Sequence, residues 1–255
     1  MITTASRLPD GLLVSVRSSA EAEEAVRGGA AIVDAKEPAD GPLAPVDAAV
    51  AGAIARAVAG RVPWTLACGE LGDGAPVVAD RIHRAVAAAA GHPPAAAKAG
   101  PAGLPLAEWL RAFAAVRERL PQGVELVAVA YADWHVAEGA HPLEIIDAAA
   151  ASGASTVLVD TFDKSGPGIV ELAGLEGLAG WIAAAAARGL RAAIAGRLQD
   201  ADLPGVAAAG PAVVGVRSAA CGGRRLGMVD AGQVRRLVGT LQSGRRVPRG
   251  VLTGT

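Results

Sequence analysis

Short, unbroken apolar runs alternate with longer Ala-rich amphipathic stretches along almost the whole chain. Eight runs read as strands: Leu12–Val16, Ala31–Ala35, Trp64–Cys68, Ala95–Ala99, Leu126–Tyr131, Thr156–Asp160, Arg191–Ala195 and Ala212–Val216. Most lack polar alternation, the pattern of parallel strands buried on both faces. Eight helical segments follow them in turn: Ala20–Arg27, Val46–Ala59, Pro76–Ala90, Leu106–Arg119, Pro142–Ala151, Leu172–Arg188, Asp200–Ala209 and Ala231–Leu241. Ser18-Ser19 offers an N-cap for the first. Arg27-Gly28, Ala59-Gly60, Ser152-Gly153 and Arg188-Gly189 place glycine at helix ends, where it accepts the left-handed conformation that closes a helix.

Eight βα pairs in strict alternation predict one (β/α)8 barrel, a TIM barrel, filling residues 1–242. An open doubly wound sheet shares the alternation. Against nucleotide binding, no G-x-G-x-x-G follows the first strand and no Walker A sequence occurs. The 255-residue length suits a single barrel. Residues 243–255 are rich in Gly, Arg and Pro and read as a disordered basic tail.

A net charge of −1 leaves no basic footprint for nucleic acid. No apolar run reaches the ~20 residues that cross a bilayer, and no secretory signal is visible at the start. The expectation is a cytoplasmic protein with neither a nucleic-acid nor a membrane partner. Two cysteines, Cys68 and Cys221, fit a reduced interior. His83, His92, His135 and His141 lack metal-ligand spacing, so no metal is expected.

One compositional feature points to chemistry. The chain has 21 arginines and only three lysines, Lys36, Lys98 and Lys164. Arginine evidently supplies the surface cations, so the lysines mark places where arginine cannot serve. Arginine cannot shed its proton, whereas a lysine amine can do so when buried or next to another cation, and can then form an imine or act as a base. All three follow or end even-numbered strands, at the carboxyl face where barrel active sites form. Asp34 stands two residues before Lys36, which puts both side chains on one strand face. Asp160 holds the like place on the sixth strand. A carboxylate beside an amine can hold it and shuttle protons.

The loops after strands seven and eight are a common phosphate site in barrels. Here they carry Gly196, and then Arg217, Ser218, Ala219 and Gly222; small residues let backbone N–H groups approach an anion, and Arg217 is expected to supply a fixed charge. Asp133, after the fifth strand, reads equally as a polar contact for substrate and as a cap. Glu70 and Asp73 read as solvated, Cys221 as a buried spectator, and His135 and His141 as loop residues.

The segments Ile32-Val33-Asp34-Ala35-Lys36-Glu37-Pro38 with Gly41, Lys98-Ala99-Gly100, Tyr131-Ala132-Asp133, Leu158-Val159-Asp160-Thr161 with Lys164-Ser165-Gly166, and Val214 through Cys221 together resemble the (5-formylfuran-3-yl)methyl phosphate synthase family of methanofuran biosynthesis. The resemblance spans about Leu12 to Leu241. It implies a TIM barrel that condenses two molecules of glyceraldehyde 3-phosphate, losing one phosphate and water as a furan ring closes. By the same resemblance Lys36 matches the family's Schiff-base lysine and Lys98 its proton acceptor. Asp34, Asp160 and Lys164 match its supporting acid–base residues, and no cofactor is implied. The partner expected is a small phosphorylated aldehyde, with a homo-oligomer as the default assembly. Another imine-forming aldolase or phosphate-binding barrel, and a non-catalytic barrel that binds a phosphometabolite, are the rival readings.

Overall fold

A computed structural model describes residues 8–246. Eight strands are β1 (Gly11–Val16), β2 (Ile32–Ala35), β3 (Trp64–Glu70), β4 (Ala96–Gly100), β5 (Glu125–Tyr131), β6 (Thr156–Asp160), β7 (Arg191–Ile194) and β8 (Val213–Val216). Each pairs in parallel with its chain neighbour, and β8 returns to β1, so the sheet closes in the order β1 to β8. Closure removes the open-sheet alternative. The helices are α1 (Ser19–Gly28), α2 (Ala48–Val58), α3 (Ala75–Ala88), α4 (Leu106–Arg117), α5 (Pro142–Ala151), α6 (Ile169–Ala187), α7 (Leu203–Ala209) and α8 (Ala231–Arg245).

The strands separate two apolar regions. Their outward residues, such as Val14, Val33, Leu66 and Val157, pack against the helices in the larger core. Their inward residues, including Ile32, Ala96, Val127, Leu158, Ala193 and Val213, form the smaller one. Barrel interiors are usually filled by bulky branched side chains. Ala96, Ala193, Ala195 and Gly215 are too small to do so, and a cavity of about 200 Å³ opens between the strands.

Several element ends differ from the sequence expectation. Gly29, not Gly28, takes the left-handed cap of α1, while Ser18 caps its start by accepting the Glu21 N–H. The stretch Asp200–Asp202 forms a 3-10 turn ahead of a shorter α7. By length and composition α6 resembles a membrane-crossing helix, but Gly174 breaks it with non-helical backbone (φ 65°, ψ 166°), and it packs against α5, α7 and β7.

Of the stretch read as a tail, Ser243, Gly244 and Arg245 extend α8 and Arg246 caps it; 247–255 lie outside the described residues. Close packing explains the extension. A Cβ at Gly244 would stand 2.7 Å from Ala207 Cβ and 3.0 Å from the Pro204 carbonyl oxygen, and Arg245 donates to the Pro211 and Ala212 carbonyls. Glycine in a helix ordinarily costs ~1 kcal/mol relative to alanine. Gly239→Ala, on the open face of α8, is therefore expected to raise stability by up to ~1 kcal/mol. Gly244→Ala is expected to lower it by about 1–3 kcal/mol, because backbone must move to admit the methyl group. Urea denaturation of the two variants reads the opposite signs.

Candidate active site

The inner face of β2 presents Asp34 and, one residue past the strand end, Lys36. Register sets Ser15, Asp34 and Thr65 side by side across β1, β2 and β3. Ser15 Oγ donates to Asp34 Oδ2 at 3.0 Å, and Thr65 Oγ1 donates to Oδ1 at 2.7 Å. Lys98, in the middle of β4 rather than near its end, brings its Nζ to the same Oδ1 at 2.5 Å. Asp34 and Lys98 are both buried. Two charges out of water are tolerated only when paired and hydrogen-bonded, and this arrangement meets both needs.

Across the cavity β6 ends on Asp160. Lys164 Nζ, four residues on, donates to Asp160 Oδ1 at 2.6 Å and to Thr161 Oγ1 at 3.2 Å. Burial alone would raise the Asp160 carboxyl. The Lys164 and Lys36 cations, with hydrogen bonds from Lys164 and the Thr161 N–H, outweigh burial and hold it below the usual carboxylate range.

Lys36 is the exception among the three lysines. It is buried, yet its amine makes no hydrogen bond or ion pair among the described residues. Burial lowers its pKa to about 7; Lys164 and Arg225 add to that effect, while Asp160 and Asp34 oppose it. All five residues singled out from sequence, Asp34, Lys36, Lys98, Asp160 and Lys164, line the same cavity.

The phosphate end departs from expectation. Gly196, Arg217 and Ser218 do line the cavity. Arg217, however, has no free donor. Its Nε donates to the Arg225 carbonyl, and its two terminal nitrogens donate to both Glu21 carboxylate oxygens and to the Ser15 and Gly227 carbonyls. Those bonds use all five guanidinium N–H groups, so Arg217 anchors the β8–α8 loop and has none left for an anion. Ala219 is turned into the core between sheet and helices, and Gly222 is exposed where it closes the 3-10 turn Ser218–Cys221; neither lines the cavity.

Two arginines that the sequence did not single out lie in the same two loops. Arg197 follows Gly196 and adopts positive φ (55°), uncommon for a bulky side chain and often associated with a functional constraint. Arg225 donates to the Pro38 and Gly41 carbonyls and so ties the β8–α8 loop to the β2–α2 loop. Both line the cavity. Six cationic side chains and two carboxylates surround it, and Lys36, Arg197 and Arg225 are the three cations in no ion pair among the described residues. The cavity therefore carries a positive excess suited to an anionic ligand.

Glu70 is not solvated as expected. Tyr131 donates to it at 2.7 Å and the Ala102 N–H at 3.1 Å, and burial raises its carboxyl against those two bonds. Gly100 leaves room for this pair, since a Cβ there would press on the Glu70 carboxylate and the Tyr131 hydroxyl. Asp73 pairs with Arg81. Asp133 accepts the backbone N–H groups of Phe162 at 2.6 Å and Asp163 at 2.7 Å. His141 caps α5, and the His135 ring lies tilted against that of Trp134. Burial pushes the Cys221 thiol up to about 11 and the Cys68 thiol to about 12, so neither is a thiolate near neutrality. Among the described residues no group of three or more His, Cys, Asp or Glu side chains could hold a metal ion.

The family model described as 4-HFC-P synthase matches residues 12–238, from β1 into α8. The chain belongs to this family. Family membership makes it an enzyme, and all five clustered residues fall within the matched span. A (5-formylfuran-3-yl)methyl phosphate synthase of Methanosarcina barkeri is 32% identical over 91% of this chain and 99% of its own. One of Methanothermobacter thermautotrophicus is 33% identical, again over 91% and 99%. Solved structures share the barrel at much lower identity. The 3-hexulose-6-phosphate synthase of Salmonella typhimurium superposes with a TM-score of 0.63 at 13% identity, covering 92% of this chain and 99% of that one. Dihydrodipicolinate synthase of Agrobacterium tumefaciens gives 0.64 at 14%, covering 94% and 78%. At such identity these two show a likeness of fold alone.

Proposed function

We propose that the enzyme condenses two molecules of glyceraldehyde 3-phosphate into (5-formylfuran-3-yl)methyl phosphate, with loss of one phosphate and of water, through an imine on Lys36. The observation that carries this reading is the buried, unpaired Lys36 amine with a pKa of about 7. Near neutrality a large share of it is neutral and can attack an aldehyde carbon. Loss of water from the adduct gives an iminium, whose positive nitrogen draws electrons from the neighbouring carbon and lets a proton leave. The Lys98–Asp34 pair is the candidate to take that proton, and the resulting enamine attacks the second aldehyde. Asp160 and Lys164, hydrogen-bonded to each other at 2.6 Å, are the pair assigned to proton movement in the eliminations that follow.

A phosphate group brings roughly −1.5 to −2 charges near neutrality, which the unpaired cations Arg197 and Arg225 can meet. Gly196, Ser218 and Gly223 line the same cavity and bring backbone close to it. Loss of a charge-assisted hydrogen bond costs about 1.5–3 kcal/mol. Arg197→Gln is therefore expected to raise KM by roughly tenfold or more with a small change in kcat. The test is incubation with glyceraldehyde 3-phosphate as sole substrate, read by the ultraviolet band of a furan aldehyde and by product mass. Formation of the furan phosphate supports the reading; an unchanged triose phosphate contradicts it.

A further inference from the structure

We propose that Asp133 is a positioning residue, whose carboxylate fixes the β6–α6 loop so that the Lys164 ammonium stays on Asp160 and faces Lys36. It rests on the reading of Lys36 as the reactive amine, and it assigns a role to a residue that touches none of the reacting groups itself.

Asp133 lies just beyond β5 and is 9% exposed. Its two oxygens accept the N–H groups of consecutive residues, Phe162 at 2.6 Å and Asp163 at 2.7 Å. These are the two residues immediately before Lys164. The bonds are short and charge-assisted, the stronger kind, and they grip the loop at the point where it leaves the strand. Phe162 is held a second time, with its ring 5.4 Å from that of Tyr131. Beyond Lys164, Asp163 Oδ1 accepts the Ser165 N–H at 2.7 Å and its hydroxyl at 2.6 Å. Backbone on both sides of Lys164 is thereby fixed, and its long side chain retains one productive direction, across Thr161 to Asp160.

That placement has an electrostatic consequence at Lys36. The charged groups acting on the Lys36 amine are Asp160 on β6, Lys164 on the β6–α6 loop, Asp34 on β2 and Arg225 on the β8–α8 loop; Lys98 on β4 is bound to Asp34. Burial does most to lower the pKa of this amine, and Lys164 is the stronger of the two cations that add to it. If the loop is released, Lys164 is free to swing into water and the Lys36 amine holds its proton to higher pH.

The experiment measures the pH dependence of Lys36 labelling by formaldehyde and cyanoborohydride, followed by peptide mass analysis. Four proteins are compared: the parent chain, Asp133→Ala, Lys164→Met and the double variant. Asp133→Asn is added because it keeps one acceptor oxygen and preserves the shape of the loop. Labelling does not require furan formation, so failure of the proposed condensation and failure of this inference are read separately. The expected result is a labelling midpoint raised by roughly one pH unit in Asp133→Ala, a smaller rise in Asp133→Asn, and no further rise when Asp133→Ala is added to Lys164→Met. Coupling of that kind marks two residues acting through one element. A midpoint unchanged in both Asp133 variants, or an equal rise with and without Lys164, would overturn the proposal and leave Asp133 as a structural cap.

Discussion

A Lys36→Met variant is expected to be inactive and yet more stable than the parent protein at pH 6. On the proposed imine mechanism, loss of activity follows from loss of the lysine amine that is buried and, among the described residues, in no hydrogen bond or ion pair; removal of a nucleophile of this kind lowers kcat by at least roughly 10⁴-fold. The gain in stability follows from the titration of the same amine. In the folded chain it takes its proton only below about 7, whereas in the unfolded chain the value is 10.5. Between those values the unfolded state binds more protons, so stability rises with pH. The cost of burying this lysine is therefore complete below about pH 7 and is relieved as the pH climbs towards 10.5. One pKa unit corresponds to ~1.4 kcal/mol, so methionine, which has no charge to bury, should gain on the order of several kcal/mol at pH 6. Asp160 loses one of its two cations in the variant but keeps Lys164, which limits the offset. Thermal unfolding at pH 6 and at pH 10 checks the sign, with a gap between variant and parent that narrows at the higher pH. Lys36→Arg separates the two effects, since it removes the amine chemistry and leaves a buried charge.

Glu21→Ala is expected to be the most damaging substitution outside the cavity lining, at about 3–5 kcal/mol. Glu21 sits on α1, fully buried, and accepts from both terminal nitrogens of Arg217 and from the Arg17 N–H. Without it a buried guanidinium is left uncompensated. Arg217 also ties β1 to the β8–α8 loop through the Ser15, Arg225 and Gly227 carbonyls. The damage should therefore extend to the placement of Arg225 over the cavity. Asp80→Ala, which breaks the exposed Arg84–Asp80 pair, is the contrasting case and should change little, because solvent-exposed pairs contribute weakly. Urea denaturation of the two variants side by side measures the difference.

The behaviour of Arg217 shows where reading the sequence stops. The strands were legible because parallel strands buried on both faces leave continuous apolar runs; β6, Thr156–Asp160, falls where expected to the residue. The five inward polar residues were legible because lysine is scarce here and because a two-residue spacing puts Asp34 and Lys36 on one face. An arginine after the eighth strand carries no sign of its partner. That partner, Glu21, lies 196 positions away, and only closure of β8 onto β1 brings them together. Arg225 was hidden for a similar reason, since its acceptors Pro38 and Gly41 belong to the second loop. Glu70 resembled any exposed acid until Tyr131 from β5 and the bare Gly100 on β4 closed around it. Local pattern thus reports which face a residue takes, while pairing between distant loops depends on how the barrel closes. The break at Gly174 in α6 was not legible, because the helix also tolerates Gly177 and Gly180 with helical backbone.

Reduction of the enzyme with borohydride in the presence of glyceraldehyde 3-phosphate, followed by peptide mapping, reads out imine formation on Lys36. A stable triose adduct is expected on the peptide that carries Lys36, formed readily at pH 8 and progressively less as the pH falls below about 7. An unmodified Lys36, or an adduct confined to Lys98 or Lys164, would contradict it.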